Sequence, residues 1–184
     1  MGSVDLKSCY DRIAHTPAYL AMRGFGIPAG PLRSMLNTHQ NIQFKSKSVH
    51  GVSKVSFGGK EDRYIAKPQG AGQGNGAGLP IWAVVSSQMF QILKKQHLVT
   101  KFSRPITKRV LEICGFAFVD DSDIIATSNN VNNPYHTLQQ MQQTLDSWEV
   151  SAKVTGGALE PSKSFGYLVH FQWNNGQRNI NLLH

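Results

Sequence analysis

The sequence contains little acid, and its few carboxylates are unevenly placed. Eleven Asp and Glu stand against 19 Lys and Arg, which gives a net charge of +8 and a sequence pI near 9.7. No acidic residue lies between Arg12 and Lys60, or between Arg63 and Leu111. A balance of this kind favours a polyanionic partner, although it does not separate nucleic acid from an anionic membrane surface.

Cysteine and long apolar runs are also scarce. The only cysteines, Cys9 and Cys114, are too few for a disulfide framework or a zinc site by themselves. No stretch is long enough to cross a bilayer, and the start of the chain does not resemble a signal peptide. We therefore expect an intracellular protein, nuclear or cytoplasmic, which is not secreted and has no membrane partner. At 184 residues and 40% hydrophobic composition, residues 1–184 should form a single domain.

Hydrophobic periodicity predicts a mixed α+β fold. Reduced to its core, the order is β-α-β-β-α-β, the ferredoxin-like arrangement, with a helical and hairpin region inserted between the first strand and the long central helix. The predicted elements are a strand end at Ser3 to Leu6, helices over Pro17–Gly24 and Pro31–Gln40, two strands within 42–57, a long helix from Pro80, two strands around Asp120 and Asp121, a helix from Pro134 to Gly156, and a last strand over Ser164–Trp173.

A glycine-rich segment precedes the long helix. Glycine occupies every second position from Gly70 to Gly78, in "GAGQGNGAG". Neither a helix nor an ordinary strand interior favours this pattern. We expect a loop with a special backbone path. A loose dinucleotide-binding fingerprint within it is set aside, because no buried strand precedes it and no acid follows about 20 residues later.

Three carboxylates, Asp120, Asp121 and Asp123, fall within "FVDDSD". One interpretation is a plain hairpin turn, since Asp tolerates unusual backbone angles. In the ferredoxin-like arrangement, however, the end of the first strand at Asp5 approaches this hairpin. Converging carboxylates repel one another unless a cation neutralises them, and oxygen ligands suit Mg²⁺.

Five motifs in order resemble the palm of reverse transcriptases, the RNA-directed DNA polymerases of retroelements. They cover nearly the whole chain and read "DLKSCYD", "GAGQGNGAG", "FVDD", "GALEPSK" and "FGYLVHFQW". The resemblance implies that Asp5, Asp120 and Asp121 bind two Mg²⁺ or Mn²⁺ ions and catalyse deoxynucleotidyl transfer. It also implies an RNA template, a DNA primer and deoxynucleoside triphosphates as partners.

The resemblance also implies roles for residues at other positions of these motifs. Tyr10 would abut the sugar of the incoming nucleotide, Gln73 and Gly74 would lie near nucleotide and template, and Lys163 would donate a proton to the pyrophosphate. Tyr10 could instead be a core residue beside Ile13, and a lone lysine after a proline turn could simply be solvated.

A dense basic run is the predicted nucleic-acid contact. It comprises Lys94, Lys95, Lys101, Arg104, Lys108 and Arg109. Such runs are also often solvated faces. If these residues contact phosphates, binding should weaken steeply with salt.

The sequence also departs from the family. The glycine–glutamine motif ends in Gly78-Leu79 before Pro80, where Ser-Pro is usual, and Phe118 replaces a commoner Tyr. RNA-templated RNA polymerases fit less well, because their Ser-Gly-Thr-Asn motif is absent, and cyclic-dinucleotide synthases carry a different hairpin. The fingers and thumb are missing, so we expect a palm truncated at both ends. The alternative is an inactive remnant that binds nucleic acid without sequence preference.

Overall fold

A computed structural model describes residues 1–59, 69–72, 74–128, 134–174 and 177–183, with side chains through residue 169. The fold is α+β, with small antiparallel sheets and five helices among these residues. The helices are α1 (Cys9–Arg12), α2 (His15–Gly24), α3 (Ala29–Gln40), α4 (Gly78–Lys95) and α5 (Pro134–Val154). The strands are β1 (Gly2–Val4), β2 (Phe44–Ser48), β3 (Gly51–Phe57), β4 (Thr100–Ser103), β5 (Val110–Ile113), β6 (Gly115–Phe118), β7 (Asp121–Ile124), β8 (Phe165–Gly166), β9 (Leu168–Asn174) and β10 (Gln177–Leu183).

The central sheet has four strands in the order β6-β7-β1-β8. Strand β1 is antiparallel to both of its neighbours, and Val4 pairs with Ser122 on β7. The expected adjacency of the first strand and the aspartate hairpin is therefore present.

One face of this sheet packs on α4 and α5. Val4, Ser122 and Ile124 are buried there, and a Cβ on Gly2 would touch Leu145 of α5. Strands alternate their side chains between faces. Asp5 directly follows β1 and continues the alternation of Ser3, so it belongs to the face away from the helices.

The core lies between the two long helices. Val85, Met89 and Leu93 of α4 are almost fully buried, as is Trp148 of α5. The Phe90 and Trp148 rings lie 4.7 Å apart, centroid to centroid. Periodic apolar positions on α4 thus become the face that supports the sheet.

Three predicted helix starts were wrong by two residues. Helix α2 begins at His15, because the Ala14 carbonyl already accepts the first helical bond, from Ala18 N. Helix α3 begins at Ala29, two residues before Pro31. Helix α4 begins at Gly78 instead of Pro80, because Asn75 accepts a hydrogen bond from Gly78 N and starts the turn early.

The last predicted strand, Ser164–Trp173, is divided in the structure. Residues Phe165–Gly166 join the central sheet as β8, whereas β9 pairs with β10 in a separate two-stranded sheet. A further ribbon, β4 with β5, overlaps the second half of the basic run and was not predicted. Among the described residues, no helix is long and apolar enough to cross a membrane.

Candidate metal and nucleotide site

A polar cleft of about 360 Å³ opens where β1 ends. Its walls come from the end of β1, helix α1, the β6–β7 turn and the turn that follows Leu159. The lining residues are Asp5, Leu6, Lys7, Ser8, Cys9, Tyr10, Asp11, Asp120, Glu160 and Lys163. Three of the five motifs, "DLKSCYD", "FVDD" and "GALEPSK", contribute residues to this lining. A fourth, "FGYLVHFQW", begins with strand β8 of the central sheet.

Asp5 is held by the segment that carries the "GALEPSK" motif. Its backbone N–H donates to Ser164 Oγ at 3.2 Å, and its carbonyl accepts from Glu160 N at 3.0 Å. A bridge between Leu6 and Leu159 continues this pairing. The Asp5 backbone is therefore fixed on the strand that borders the aspartate hairpin.

Asp120 lies in the turn of that hairpin, and Asp121 is the first residue of β7. Phe118 pairs with Asp121, so Val119 and Asp120 form the turn. Val119 has a φ of 58°, an unusual value for a β-branched residue, which indicates local strain. The turn interpretation of this motif is thus correct for the backbone, and it leaves the Asp120 side chain half-buried in the cleft.

The structure brings two of the three predicted carboxylates into one cleft. Asp5 and Asp120 both line it, whereas Asp121 is exposed and is not part of the lining. The last β1–β7 pair is Val4↔Ser122, and Asp5 and Asp121 are the next residues beyond it on the two chain segments. The third carboxylate therefore lies at the adjacent position of the sheet.

The charges of Asp5 and Asp120 both affect the pKa of the Cys9 thiol. Burial, followed by the charges of Asp120 and Asp5, raises the pKa of the Cys9 thiol to about 12. Burial and then Asp120 also raise the pKa of the Tyr10 hydroxyl. The thiol therefore stays protonated beside the two carboxylates.

The donor chemistry of the cleft fits a hard divalent cation, since Asp5 and Asp120 offer oxygen ligands. Within the described residues, however, no group of three or more His, Cys, Asp or Glu side chains is gathered to hold a metal ion. The ammonium of Lys163 lies instead 3.4 Å from Asp5 Oδ2. The Asp5 carboxylate is thus partly neutralised by the predicted proton donor.

Tyr10 lies between the cleft and the glycine-rich loop. Its ring packs against the hydrophobic core, as the core interpretation expected, and it also lines the cleft. Its hydroxyl oxygen is buried and, among the described residues, has no hydrogen-bond partner. A Cβ on Gly78 would lie 3.2 Å from Tyr10 Cδ1, so glycine there lets α4 approach the ring.

The special backbone path of the glycine-rich loop is confirmed. Gly70, Gly72 and Gly74 have φ values of 84°, 75° and 85°. A Cβ on Gly70 would lie 2.2 Å from the Tyr10 carbonyl oxygen, whereas Gly74 has open space around it. Gln73, the other predicted nucleotide contact, lies outside the described residues.

Glu160 and Cys9 belong to the cleft, and the sequence analysis assigned neither. Glu160 accepts from Ser162 Oγ at 2.8 Å, a bond that lowers the pKa of its carboxyl, and Lys7 acts in the same direction. Lys7 Nζ lies 4.0 Å from Glu160 Oε2. Their place in the sequence could have identified them, because Cys9 lies within "DLKSCYD" and Glu160 within "GALEPSK".

The predicted basic contacts divide into two groups. Lys94 and Lys95 end α4, whereas the others lie on the β4–β5 ribbon or its turn. All six are exposed. Lys101 Nζ lies 3.2 Å from Glu112 Oε1, so this lysine is partly neutralised.

Neither the protein-family models nor the curated protein sequences contain a match to this chain.

Proposed function

We propose that this chain is the palm of a reverse transcriptase, an RNA-directed DNA polymerase of a retroelement. The observation that carries the proposal is the position of β1 between β7 and β8, with Asp5 beside the Asp120 turn. The four strands of the central sheet follow one another in the chain as β1, β6, β7 and β8. Across the sheet, their order is second, third, first and fourth. This is consistent with a ferredoxin-like βαββαβ palm, in which residues 1–184 act as one domain.

In this proposal, Asp5, Asp120 and Asp121 hold two Mg²⁺ or Mn²⁺ ions. When bound, such ions stabilise the attacking 3′-hydroxyl of the primer and the leaving oxygen of the deoxynucleoside triphosphate. The backbone bonds of Asp5 to Glu160 and Ser164 keep its carboxylate in place while a ligand enters.

Tyr10 and Lys163 have separate roles in the proposal. The Tyr10 ring, wedged against Gly78, bounds the cleft where the nucleotide sugar would lie and excludes a 2′-hydroxyl. Lys163 leaves Asp5 and protonates the pyrophosphate. Its side chain is 71% exposed, so it is free to move between the two positions.

The exposed cations of α4 and the β4–β5 ribbon bind the RNA template and DNA primer through phosphate contacts in the proposal. The described part of the ribbon contains one acid, Glu112, which pairs with Lys101. Arg104, Lys108 and Arg109 therefore supply most of its positive charge.

The second candidate function is non-catalytic nucleic-acid binding by an inactive remnant. The Lys163–Asp5 ion pair favours it, because an ammonium already compensates the Asp5 carboxylate without a metal ion. The same basic residues would serve this function, so charge does not discriminate between the candidates.

Primer extension separates the two candidates. Deoxynucleotide incorporation on a homopolymer RNA template with a DNA primer should be measured with Mg²⁺ and with Mn²⁺. The chain would be compared with a version extended by the flanking sequence at its locus, each with Asp120→Asn and with Asp123→Asn as the matched control on the same hairpin. Incorporation that Asp120→Asn abolishes and Asp123→Asn retains supports the polymerase. Folded protein that binds the template but never extends the primer supports the remnant.

A further inference from the structure

The glycine-rich loop is attached to two helices through histidine side chains. His15 Nε2, on α2, lies 2.8 Å from the Gly70 carbonyl oxygen. His39, on α3, lies with Nε2 3.2 Å from Asn75 Nδ2 and with Nδ1 2.9 Å from the Met35 carbonyl oxygen. The two imidazoles form an edge-on pair with ring centroids 6.2 Å apart. Helices α2 and α3 therefore both reach the loop that leads into α4.

The hydrogen-bond partners assign the protons of both rings. A carbonyl oxygen only accepts, so His15 donates from Nε2 and His39 donates from Nδ1. The amide of Asn75 is oriented by a second bond, because its Oδ1 accepts from Ala77 N at 3.0 Å. Its Nδ2 must then donate, and His39 Nε2 must accept. His39 thus donates from Nδ1 and accepts at Nε2.

Asn75 is also bonded through its backbone to residues on both sides of it in the loop. Its backbone N–H donates to the Gly72 carbonyl at 3.1 Å, and its own carbonyl accepts from Gly78 N at 3.0 Å. His39 is 8% exposed whereas Asn75 is exposed, so the bond between them is buried on the histidine side only. Loss of this acceptor would leave Asn75 without its direct side-chain bond to α3, and water would take its place at the exposed amide.

The other end of the loop is attached beside Tyr10. Ala71 N donates to the Tyr10 carbonyl at 2.8 Å, and the φ of Gly70 allows this close approach. Gly78 meets the Tyr10 ring. The loop and the tyrosine that borders the cleft therefore form one connected unit.

We infer that His39, with His15, is a positioning residue that docks the glycine-rich loop against Tyr10 and so sets the nucleotide side of the cleft. The inference rests on the proposed function, in which the ligand is a deoxynucleoside triphosphate. His39 itself lines no part of the cleft, and it acts through Asn75 and the start of α4.

The first test needs no activity. ¹⁵N NMR of the full chain should show His39 protonated on Nδ1 and unprotonated on Nε2. In His39→Phe, which keeps a buried ring but no acceptor, the amides of Asn75, Ala77 and Gly78 should exchange with solvent about fivefold faster, as the loss of one average hydrogen bond predicts. His50→Phe, in the exposed β2–β3 turn, is the control and should leave these amides unchanged. Equal exchange in wild type and His39→Phe, or a proton on Nε2, would overturn the inference.

The second test connects the loop to nucleotide use. In the chain that extends a primer, His39→Phe should raise KM for the deoxynucleotide about fivefold while kcat changes less than about twofold. His39→Gln keeps an acceptor toward Asn75 and should restore KM. An unchanged KM in His39→Phe would contradict the positioning role. If no version of the chain extends a primer, the proposed function fails, and the exchange experiment alone decides whether His39 docks the loop.

Discussion

The Nζ of Lys163 lies 3.4 Å from Oδ2 of Asp5, and both residues line the polar cleft. The lysine side chain is 71% exposed and that of the aspartate is 19% exposed. A pair this accessible contributes little to stability. Its importance is that the same carboxylate is the proposed metal ligand.

Lys163→Met should increase divalent-cation affinity several-fold, because the competing ammonium is removed from Asp5. The free energy of unfolding should change by less than about 1 kcal/mol. If Lys163 is the proton donor, primer extension should nevertheless fall by about 10²-fold or more. Mn²⁺ titration and single-turnover incorporation measure the two effects. Lys153→Met, which breaks an exposed pair with Glu149 on α5, is the control and should alter neither.

Gly70→Ala and Gly74→Ala form a matched pair in the glycine-rich loop. Both positions have φ near 85°, which costs an alanine about 1 kcal/mol. Only at Gly70 would the new Cβ meet backbone, 2.2 Å from the Tyr10 carbonyl oxygen. Urea unfolding should therefore show a loss of about 3 kcal/mol for Gly70→Ala and about 1 kcal/mol for Gly74→Ala. Equal losses would mean that the loop does not pack on Tyr10.

Val119→Asn should stabilise the chain by about 1 kcal/mol, because Asn tolerates a positive φ better than a β-branched residue does. Val49→Asn is the control, since Val49 is exposed in a turn without a positive φ. Chemical unfolding of both variants measures the difference. A destabilised Val119→Asn would show that the Val119 side chain makes contacts that outweigh the strain.

Stability should decrease at alkaline pH through Cys9. Its pKa is raised, above all by burial, from 9.0 to about 12. The folded state therefore holds this proton more tightly than the unfolded state. The resulting stabilisation is complete below pH 9 and is lost as the pH rises from 9 toward 12. From about pH 8 to about pH 11, the free energy of unfolding should fall more in wild type than in Cys9→Ala. Parallel pH profiles would exclude this contribution.

Removal of the ribbon charges should reduce both the affinity for nucleic acid and its salt dependence. Each lost phosphate contact lowers the slope of log K against log salt by about 0.9 on a duplex. Fluorescence anisotropy should therefore show a slope reduced by about 2 to 3 for the combined Arg104→Ala, Lys108→Ala and Arg109→Ala variant. Lys101→Ala should have a smaller effect, because Glu112 already neutralises Lys101. Unchanged slopes would show that the ribbon is a solvated face that does not contact nucleic acid.

The sequence predicted the features that depend on local pattern. Glycines at alternate positions indicated a loop with a special backbone path, which has positive φ at Gly70, Gly72 and Gly74. Apolar periodicity indicated both long helices. The adjacency of Asp5 to the hairpin followed from the order of elements alone.

Other features depend on contacts between distant segments or on short strands. The β4–β5 ribbon escaped prediction because its strands are only four residues each and carry charges among the apolar positions. Strand β10 escaped it although Asn175-Gly176, a dipeptide typical of hairpin turns, stands before it in the sequence. The His39–Asn75 bond could not be predicted, because the path of the loop decides which side chain it meets.

The bond between Asp5 N and Ser164 Oγ joins residues 159 positions apart. Contacts with such a wide sequence separation form slowly, because much of the chain must be ordered before they close. During synthesis, Asp5 leaves the ribosome 159 residues before Ser164, whose side chain accepts its backbone hydrogen bond. The cleft is therefore completed late in folding, and a nascent chain that has not yet reached Ser164 carries Asp5 without the groups that fix it.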